Sequence, residues 1–126
     1  FRKTPVIIDH ESKQTLFESG AILIYLGEKS GKFYEKKNRT IINQWLMGQM
    51  AYVGPMLGQH HQFHHYNPGK SKFGEDRYFK ISERIYYELD ERLSNSKFLA
   101  ILKTCCAVSS LFALFVSLSC SFVKVI

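Results

Sequence analysis

The chain has 126 residues, of which 45% are hydrophobic and 22% charged, and its formal net charge at pH 7 is +6. This length is enough for one domain with a core, and the composition excludes a fully disordered or collagen-like protein. The excess of basic residues is too small to predict a nucleic-acid partner. All three cysteines follow residue 100, at Cys105, Cys106 and Cys120, which excludes a disulfide-dense secreted scaffold.

The first residues predict a β-hairpin. Residues 4–9 form a short β-branched run, a polar turn follows, and residues 14–17 form a second run. Two strands do not make a stable sheet alone. The chain begins with Phe1 and has no secretory signal. We therefore expect a fragment of a longer protein, with further strands encoded before residue 1.

Two helical stretches follow the hairpin. From Ser19 apolar residues recur at helical spacing, and Gly31 is a natural stop for this short helix. A long stretch is then predicted from about Asn38 to His65. Pro55 lies inside it and should bend it, because proline cannot donate a backbone hydrogen bond.

A further long helix is predicted from about Ser71 to Leu93. Its apolar residues recur every three or four positions, which places Leu93 on the buried side. Glu88 and Arg92, four residues apart, are expected to form an ion pair on the outer face. The predicted order is therefore strand, strand, short helix and two long helical stretches.

The tail differs in composition from the first 100 residues. Residues 104–123 carry no charge, and Lys103 and Lys124 flank them. Twenty such residues are long enough to span a bilayer as a helix. Three interpretations remain open: a membrane anchor, an apolar segment that packs on the fold, or unrelated sequence appended to a truncated coding sequence.

A threonine and a proline open the first strand. Proline at a strand start is compatible with a trans edge strand or with a cis turn. A cis bond between Thr4 and Pro5 would turn the Thr4 backbone outward, so that its N–H and C=O could pair with an extended peptide. The dipeptide alone favours the trans form, since cis bonds make up only about 5% of X-Pro bonds.

The junction of the second strand and the first helix offers another candidate site. The first-turn N–H groups at Ser19 and Gly20 could hold a small carboxylate, with the Ser19 hydroxyl as a further donor. The neighbouring Glu18 could accept a hydrogen bond from an ammonium group. The two receptors together would suit an α-amino acid head. Simple helix capping is the alternative interpretation.

Four histidines form two pairs at i,i+4 spacing, namely His60 with His64 and His61 with His65. Such a pair can chelate a metal from one helix face. No cysteine and no suitably placed glutamate accompanies them, so we expect no metal site. A helix end that lines a polar pocket is the favoured interpretation.

Several motifs agree in order and spacing with a known family. They are Thr4–Asp9, Leu16–Leu26, Gln44–Leu46, Gly54–Gln59 and Phe63–His64. Together they resemble the glutathione transferase superfamily, in particular its nu-class and Ure2-like branch, which includes bacterial glutathione-dependent disulfide-bond oxidoreductases. The resemblance covers residue 3 to about residue 99.

This resemblance implies an α+β fragment that is mostly helical. Residues 1–31 would form the C-terminal part of a thioredoxin-like domain that binds glutathione, and residues 38–99 the start of an all-helical domain. Residues 101–126 would be a hydrophobic tail of unclear status. The family assembles as homodimers, here across the helix at 19–30 and the stretch at 38–65, and a cytosolic location is implied unless the tail is a membrane anchor.

The resemblance also assigns roles to individual residues. Thr4 would pair through its backbone with the cysteinyl part of glutathione, beside a cis-Pro5. Glu18 and Ser19 would hold the γ-glutamyl ammonium and carboxylate. Two weaker assignments, Gln44 and Arg77, would reach glutathione from the helical domain or across the dimer.

The resemblance does not identify a catalytic group or a single second substrate within this chain. The group that activates the thiol belongs to a segment before residue 1, so we expect no turnover from the 126-residue chain alone. With glutathione, the second substrate would be a small electrophile or a disulfide. The alternatives are a non-catalytic glutathione-binding module of the same fold and a membrane-tethered helical protein.

Overall fold

The computed structural model describes residues 4–100, and they form a β-hairpin followed by helices. The order of a mostly helical α+β fragment is therefore confirmed. The elements are β1 Val6–Asp9, β2 Gln14–Phe17, α1 Ser19–Ser30, α2 Arg39–Gly48, α3 Gly54–His61 and α4 Lys72–Ser94.

The two strands are antiparallel, with Val6 opposite Phe17 and Asp9 opposite Gln14. This register gives the hairpin two different ends. At one end the turn connects Asp9 to Gln14. At the other end lie the residues just before β1 and just after β2, which we call the open end: Thr4, Pro5, Glu18 and Ser19.

The predicted long helical stretch contains 3₁₀, α and π segments, which differ in their hydrogen-bonding pattern. A 3₁₀ turn, Lys36–Asn38, leads into α2, and π-helical turns follow α2 at Gln49–Val53 and α3 at Gln62–Tyr66. Pro55 lies in the first turn of α3, directly after the first π turn. Proline has no N–H to donate at this position, and the π turn just before it is where the helical hydrogen-bonding pattern changes. The bend expected at Pro55 stays a prediction.

The core lies where α2 and α3 pack on α4. Its apolar members are Ile42, Leu46, Leu57, Ile85, Leu89, Leu99 and Ala100. Full burial of such a leucine or isoleucine stabilises the fold by about 1.5–3 kcal/mol. α1 packs against this core through the partly buried Leu23 and Ile24. At Gly20, an added Cβ would lie 3.1 Å from Met50 Cγ. The missing side chain of Gly20 therefore allows a close approach of α1 to the α2–α3 junction.

Two expectations for α4 are wrong. Leu93 is 47% exposed, so it lies beyond the edge of the core. Glu88 pairs with Arg84 at 3.6 Å instead of with Arg92. Arg92 donates to the Leu99 carbonyl oxygen at 3.1 Å, because the chain turns back after α4 and brings that carbonyl close.

Within residues 4–100, no helix has both the length and the apolar character needed to cross a membrane. The candidate span at 104–123 lies outside the described residues, as does the rest of the tail at 101–126. Membrane anchoring and the cytosolic location both stay predictions.

Candidate functional site at the open end of the hairpin

Glu18 connects β2 to α1 through an unusual backbone conformation. Its φ is 66° and its ψ is 116°. Residues with a side chain rarely adopt positive φ, because the Cβ crowds the backbone. Such strained residues cluster at functional sites, where the surrounding structure holds them in place. Positive φ also occurs at Lys13 in the hairpin turn, with a φ of 59°, so the strain at Glu18 marks the junction with α1 without being unique to it.

The N-terminus of α1 is not capped by any side chain of residues 4–100. The first helical hydrogen bond runs from the Ile22 N–H to the Glu18 carbonyl oxygen at 2.9 Å. The N–H groups of Ser19, Gly20 and Ala21 precede this bond, so the helix itself supplies no acceptor for them. They carry partial positive charge from the helix dipole and form a place where a carboxylate can bind. Capping by a side chain, the alternative interpretation, is not what the described residues show.

The Ser19 hydroxyl lies beside these amides and donates to the Met50 sulfur at 3.6 Å. A thioether is a weak acceptor. The hydroxyl therefore loses only a weak hydrogen bond when it rotates to donate to a stronger acceptor such as a carboxylate. Because Met50 also packs against Gly20, the same methionine limits how closely α1 approaches the α2–α3 junction.

Thr4 and Pro5 complete the open end from the β1 side. The peptide bond between them is cis, which is the isomer that the family resemblance implies. Thr4 and the Glu18 carboxylate side chain are both exposed. The open end thus brings together a strand backbone, a carboxylate, a hydroxyl and uncapped helix amides. Such a set can bind a short peptide that ends in an α-amino acid head.

Gln44 and Arg77 are not part of this cluster. Gln44 is exposed on α2, and Arg77 is exposed on α4 with its guanidinium carbon 6.0 Å from the centre of the Tyr78 ring. Among residues 4–100, neither side chain makes a hydrogen bond or ion pair with Glu18 or Ser19. Their roles stay predictions.

The other end of the hairpin holds a polar cluster that the sequence reasoning missed. The Asp9 carboxylate accepts from Lys29 Nζ at 2.5 Å, from the Tyr25 hydroxyl and from the Glu11 N–H at 2.9 Å. Lys29 first, and then Tyr25, hold the pKa of Asp9 well below its usual value. The hydrogen bond to Asp9, followed by that to Glu11, raises the pKa of Lys29. The sequence signal for this cluster was the spacing of Tyr25 and Lys29, which are four residues apart and therefore lie on the same face of α1.

The histidines contribute to helix packing. The His60 and His64 ring centres are 4.3 Å apart, and the His61 and His65 centres 4.7 Å apart. His64 Nε2 donates to the Glu75 carbonyl oxygen of α4 at 3.1 Å. Burial, and then the neighbouring histidines, lower the pKa of His60, which favours the neutral ring. Residues 4–100 contain no group of three or more side chains that could hold a metal ion.

Comparison with known proteins gives several relatives, although no family model matches the chain. The disulfide-bond oxidoreductase YfcG of Escherichia coli is 43% identical over 104 residues, which are 77% of this chain and 48% of the relative. A glutathione S-transferase domain-containing protein of Dictyostelium discoideum is 32% identical over 106 residues, 78% of this chain and 40% of the relative. The chain spans about half the length, or less, of these curated relatives.

Solved structures agree with these matches. A glutathione transferase from Pseudomonas putida, with one glutathione disulfide bound per subunit, superposes with a TM-score of 0.72 at 37% identity, over 84% of this chain and 50% of that chain. A glutathione transferase homologue from Lodderomyces elongisporus, with two glutathione molecules per subunit, gives a TM-score of 0.75 at 25% identity, over 97% and 63%. The order of strands and helices, the open-end motif and these relatives agree: the chain belongs to the glutathione transferase superfamily.

Proposed function

We propose that the chain binds glutathione at the open end of the hairpin and forms part of a glutathione-dependent enzyme. The uncapped N-terminus of α1 beside Glu18 is the observation that carries this proposal. The γ-glutamyl carboxylate would accept from the first amides of α1 and from the Ser19 hydroxyl. The ammonium group would donate to the Glu18 carboxylate, and the cysteinyl backbone would pair with Thr4.

The comparisons support the chemistry of this ligand. The Pseudomonas putida and Lodderomyces elongisporus structures contain glutathione disulfide or glutathione, and the Escherichia coli relative is a disulfide-bond oxidoreductase. The reaction would be conjugation of glutathione to a small electrophile, or disulfide reduction by attack of the glutathione thiolate on a disulfide sulfur, which releases the other sulfur as a thiolate. Within residues 4–100, no observation favours a non-catalytic module or a membrane-tethered protein.

A further donor is required for catalysis. A hydrogen bond to the glutathione sulfur lowers the thiol pKa and supplies the nucleophile. None of the five residues assigned here to glutathione has that role. We propose that a residue encoded before residue 1 in a longer protein supplies it, in the thioredoxin-like domain to which residues 1–31 would belong.

The helical part would complete the binding site. Residues 38–99 would belong to the helical domain, and Gln44 and Arg77, both exposed, would reach glutathione from that domain or across a homodimer. The dimer would form across α1 and residues 38–65, where Leu26 and Met47 are large apolar side chains exposed to solvent. Sedimentation velocity tests this: a dimer is expected, and a monomer at high protein concentration would contradict it.

Isothermal titration calorimetry of the 126-residue chain with glutathione tests the binding proposal. Replacing Ser19 with Ala or Glu18 with Gln removes one charged hydrogen bond to the ligand, so each is expected to weaken binding about tenfold or more. Ser30→Ala at the other end of α1 and Glu83→Gln on exposed α4 are matched controls with unchanged affinity. Equal affinity of all variants, or no binding by the unaltered chain, would contradict the proposal.

A further inference from the structure

A cluster of side chains ties the turn end of the hairpin to α1. We call Asp9, Tyr25 and Lys29 the latch. The Asp9 side chain is only 10% exposed and contacts both partners on α1. Tyr25 is also hydrogen-bonded to Ser12 of the turn, with 3.0 Å between the hydroxyl oxygens. The Asp9 carboxylate thus accepts from two side chains of α1 and, at 2.9 Å, from the Glu11 N–H of its own turn.

The latch is remote from the proposed ligand. Tyr25 lies six residues after Ser19, about 9 Å along the helix axis. Its contacts to Asp9 lie at the turn end of the hairpin, whereas Thr4 and Glu18 lie at the open end. The latch can therefore affect the open end only through the orientation of the hairpin relative to α1.

The hairpin is joined to α1 near both of its ends. Along the chain the hairpin reaches α1 through the single strained residue Glu18. Positive φ persists at such a residue only where the surrounding structure enforces it. The latch is the polar contact that joins the opposite end of the hairpin to the same helix. Chain connection at one end and latch at the other together fix the angle between β1 and α1.

We propose that Asp9, Tyr25 and Lys29 are positioning residues that hold the Thr4 backbone in register with the N-terminus of α1, so that one glutathione molecule can bind both. This inference rests on the proposed function. A ligand that needs both anchors depends on the latch, whereas a ligand that needs only the N-terminus of α1 does not. L-Glutamate has the same α-amino acid head as glutathione but lacks the cysteinyl backbone, so it serves as the single-anchor probe.

The experiment compares Asp9→Asn with the unaltered 126-residue chain. Glutathione affinity is measured by calorimetry and L-glutamate affinity by NMR titration. We expect Asp9→Asn to weaken glutathione binding about tenfold while glutamate binding stays the same, since only the relative placement of the anchors changes. The amides of β1 and β2 should exchange with deuterium about tenfold faster without ligand, as expected when a local contact is lost.

Matched variants separate positioning from general loss of fold. Glu11→Gln removes the other acid on Lys29, at 2.6 Å but 81% exposed, and should leave glutathione affinity unchanged. Tyr25→Phe keeps the ring and loses the hydrogen bonds of the hydroxyl with Asp9 and Ser12, so a loss of about threefold is expected even if Asp9→Asn does not fold. Lys29→Met should weaken glutathione binding, and Lys29→Arg should restore it.

The outcomes distinguish this inference from the proposed function. If the unaltered chain binds glutathione and Asp9→Asn and Tyr25→Phe bind it equally well, the positioning role is wrong and the binding site stands. The same conclusion follows if glutathione and glutamate affinities fall by the same factor. If the unaltered chain binds no glutathione, both proposals are wrong.

Discussion

The two ends of the hairpin differ in how completely their polar groups are satisfied. At the turn end, the Asp9 carboxylate receives three hydrogen bonds, and the one from Lys29 is also an ion pair. At the open end, the first amides of α1 have no helical acceptor, no side chain of residues 4–100 caps them, and Glu18 has a strained backbone. A strained backbone reduces stability, so it persists only where other contacts hold it, and the turn end has a positive φ as well, at Lys13. The comparison suggests a division of roles: the turn end stabilises and the open end binds.

The largest expected effect comes from removing a core side chain that lies beneath the start of α1, next to the open end. Leu46 is 2% exposed and lies under Gly20 of α1. Leu46→Ala should reduce the free energy of unfolding by about 2–5 kcal/mol through lost burial and the cavity left behind. Urea unfolding measures this.

Leu93 at the end of α4, which is 47% exposed, provides the matched control. Leu93→Ala should change the free energy of unfolding by about 0.5 kcal/mol or less. Equal losses for the two variants would contradict the placement of Leu46 in the core.

Acid titration should sharpen the contrast between the ends. The pKa of Asp9 is lowered in the folded chain from its usual value of 3.8, so its stabilising contribution is present above that pH and is lost as the pH falls below it. Asp9→Asn should therefore be less stable than the unaltered chain at pH 7, and the difference should shrink as the pH falls below 3.8. Thermal unfolding at a series of pH values measures this.

A second acid with a lowered pKa gives the control for this titration. Asp76 pairs with Lys72 on exposed α4, so Asp76→Asn should cost less at pH 7 than Asp9→Asn. A difference between Asp9→Asn and the unaltered chain that does not change with pH would rule out the ionised carboxylate as the source of stability.

The smallest expected effect has the opposite sign. Glu18→Gly removes the strain of positive φ, so it should stabilise the fold by about 0.5–1 kcal/mol while weakening glutathione binding. Chemical denaturation and calorimetry together measure both changes. Glu28→Gly, within α1, should instead destabilise by about 1 kcal/mol. A Glu18→Gly variant that loses stability would mean that its carboxylate, not its backbone, determines its contribution.

The local elements could be predicted from the sequence, because the signals lie close together in the chain. Ser19 after a strand and Gly31 after a helical run placed α1, and Gly31 indeed ends it with a φ of 65°. The latch could not be predicted in this way, because Asp9 and Tyr25 are 16 residues apart and meet only through the hairpin geometry. Likewise, Leu93 fits the helical period but lies where α4 extends beyond its neighbours.

The candidate site shows the same limit. Glu18 and Ser19 were found because a strand that runs directly into a helix exposes the first helical amides. The absence of a side-chain cap could not be read from the sequence, since Ser19 itself is a common capping residue. The proline at position 55 was visible in the sequence, but the π turn that precedes it has no comparable sequence signal.

The most direct test of the account is an NMR titration of the 126-residue chain with glutathione. The account predicts that the amide signals of Ser19, Gly20 and Ala21 shift in a saturable way, while those of Ser30 and Gly31 at the other end of α1 do not. A folded chain whose Ser19, Gly20 and Ala21 signals stay unchanged at saturating glutathione would contradict the central claim.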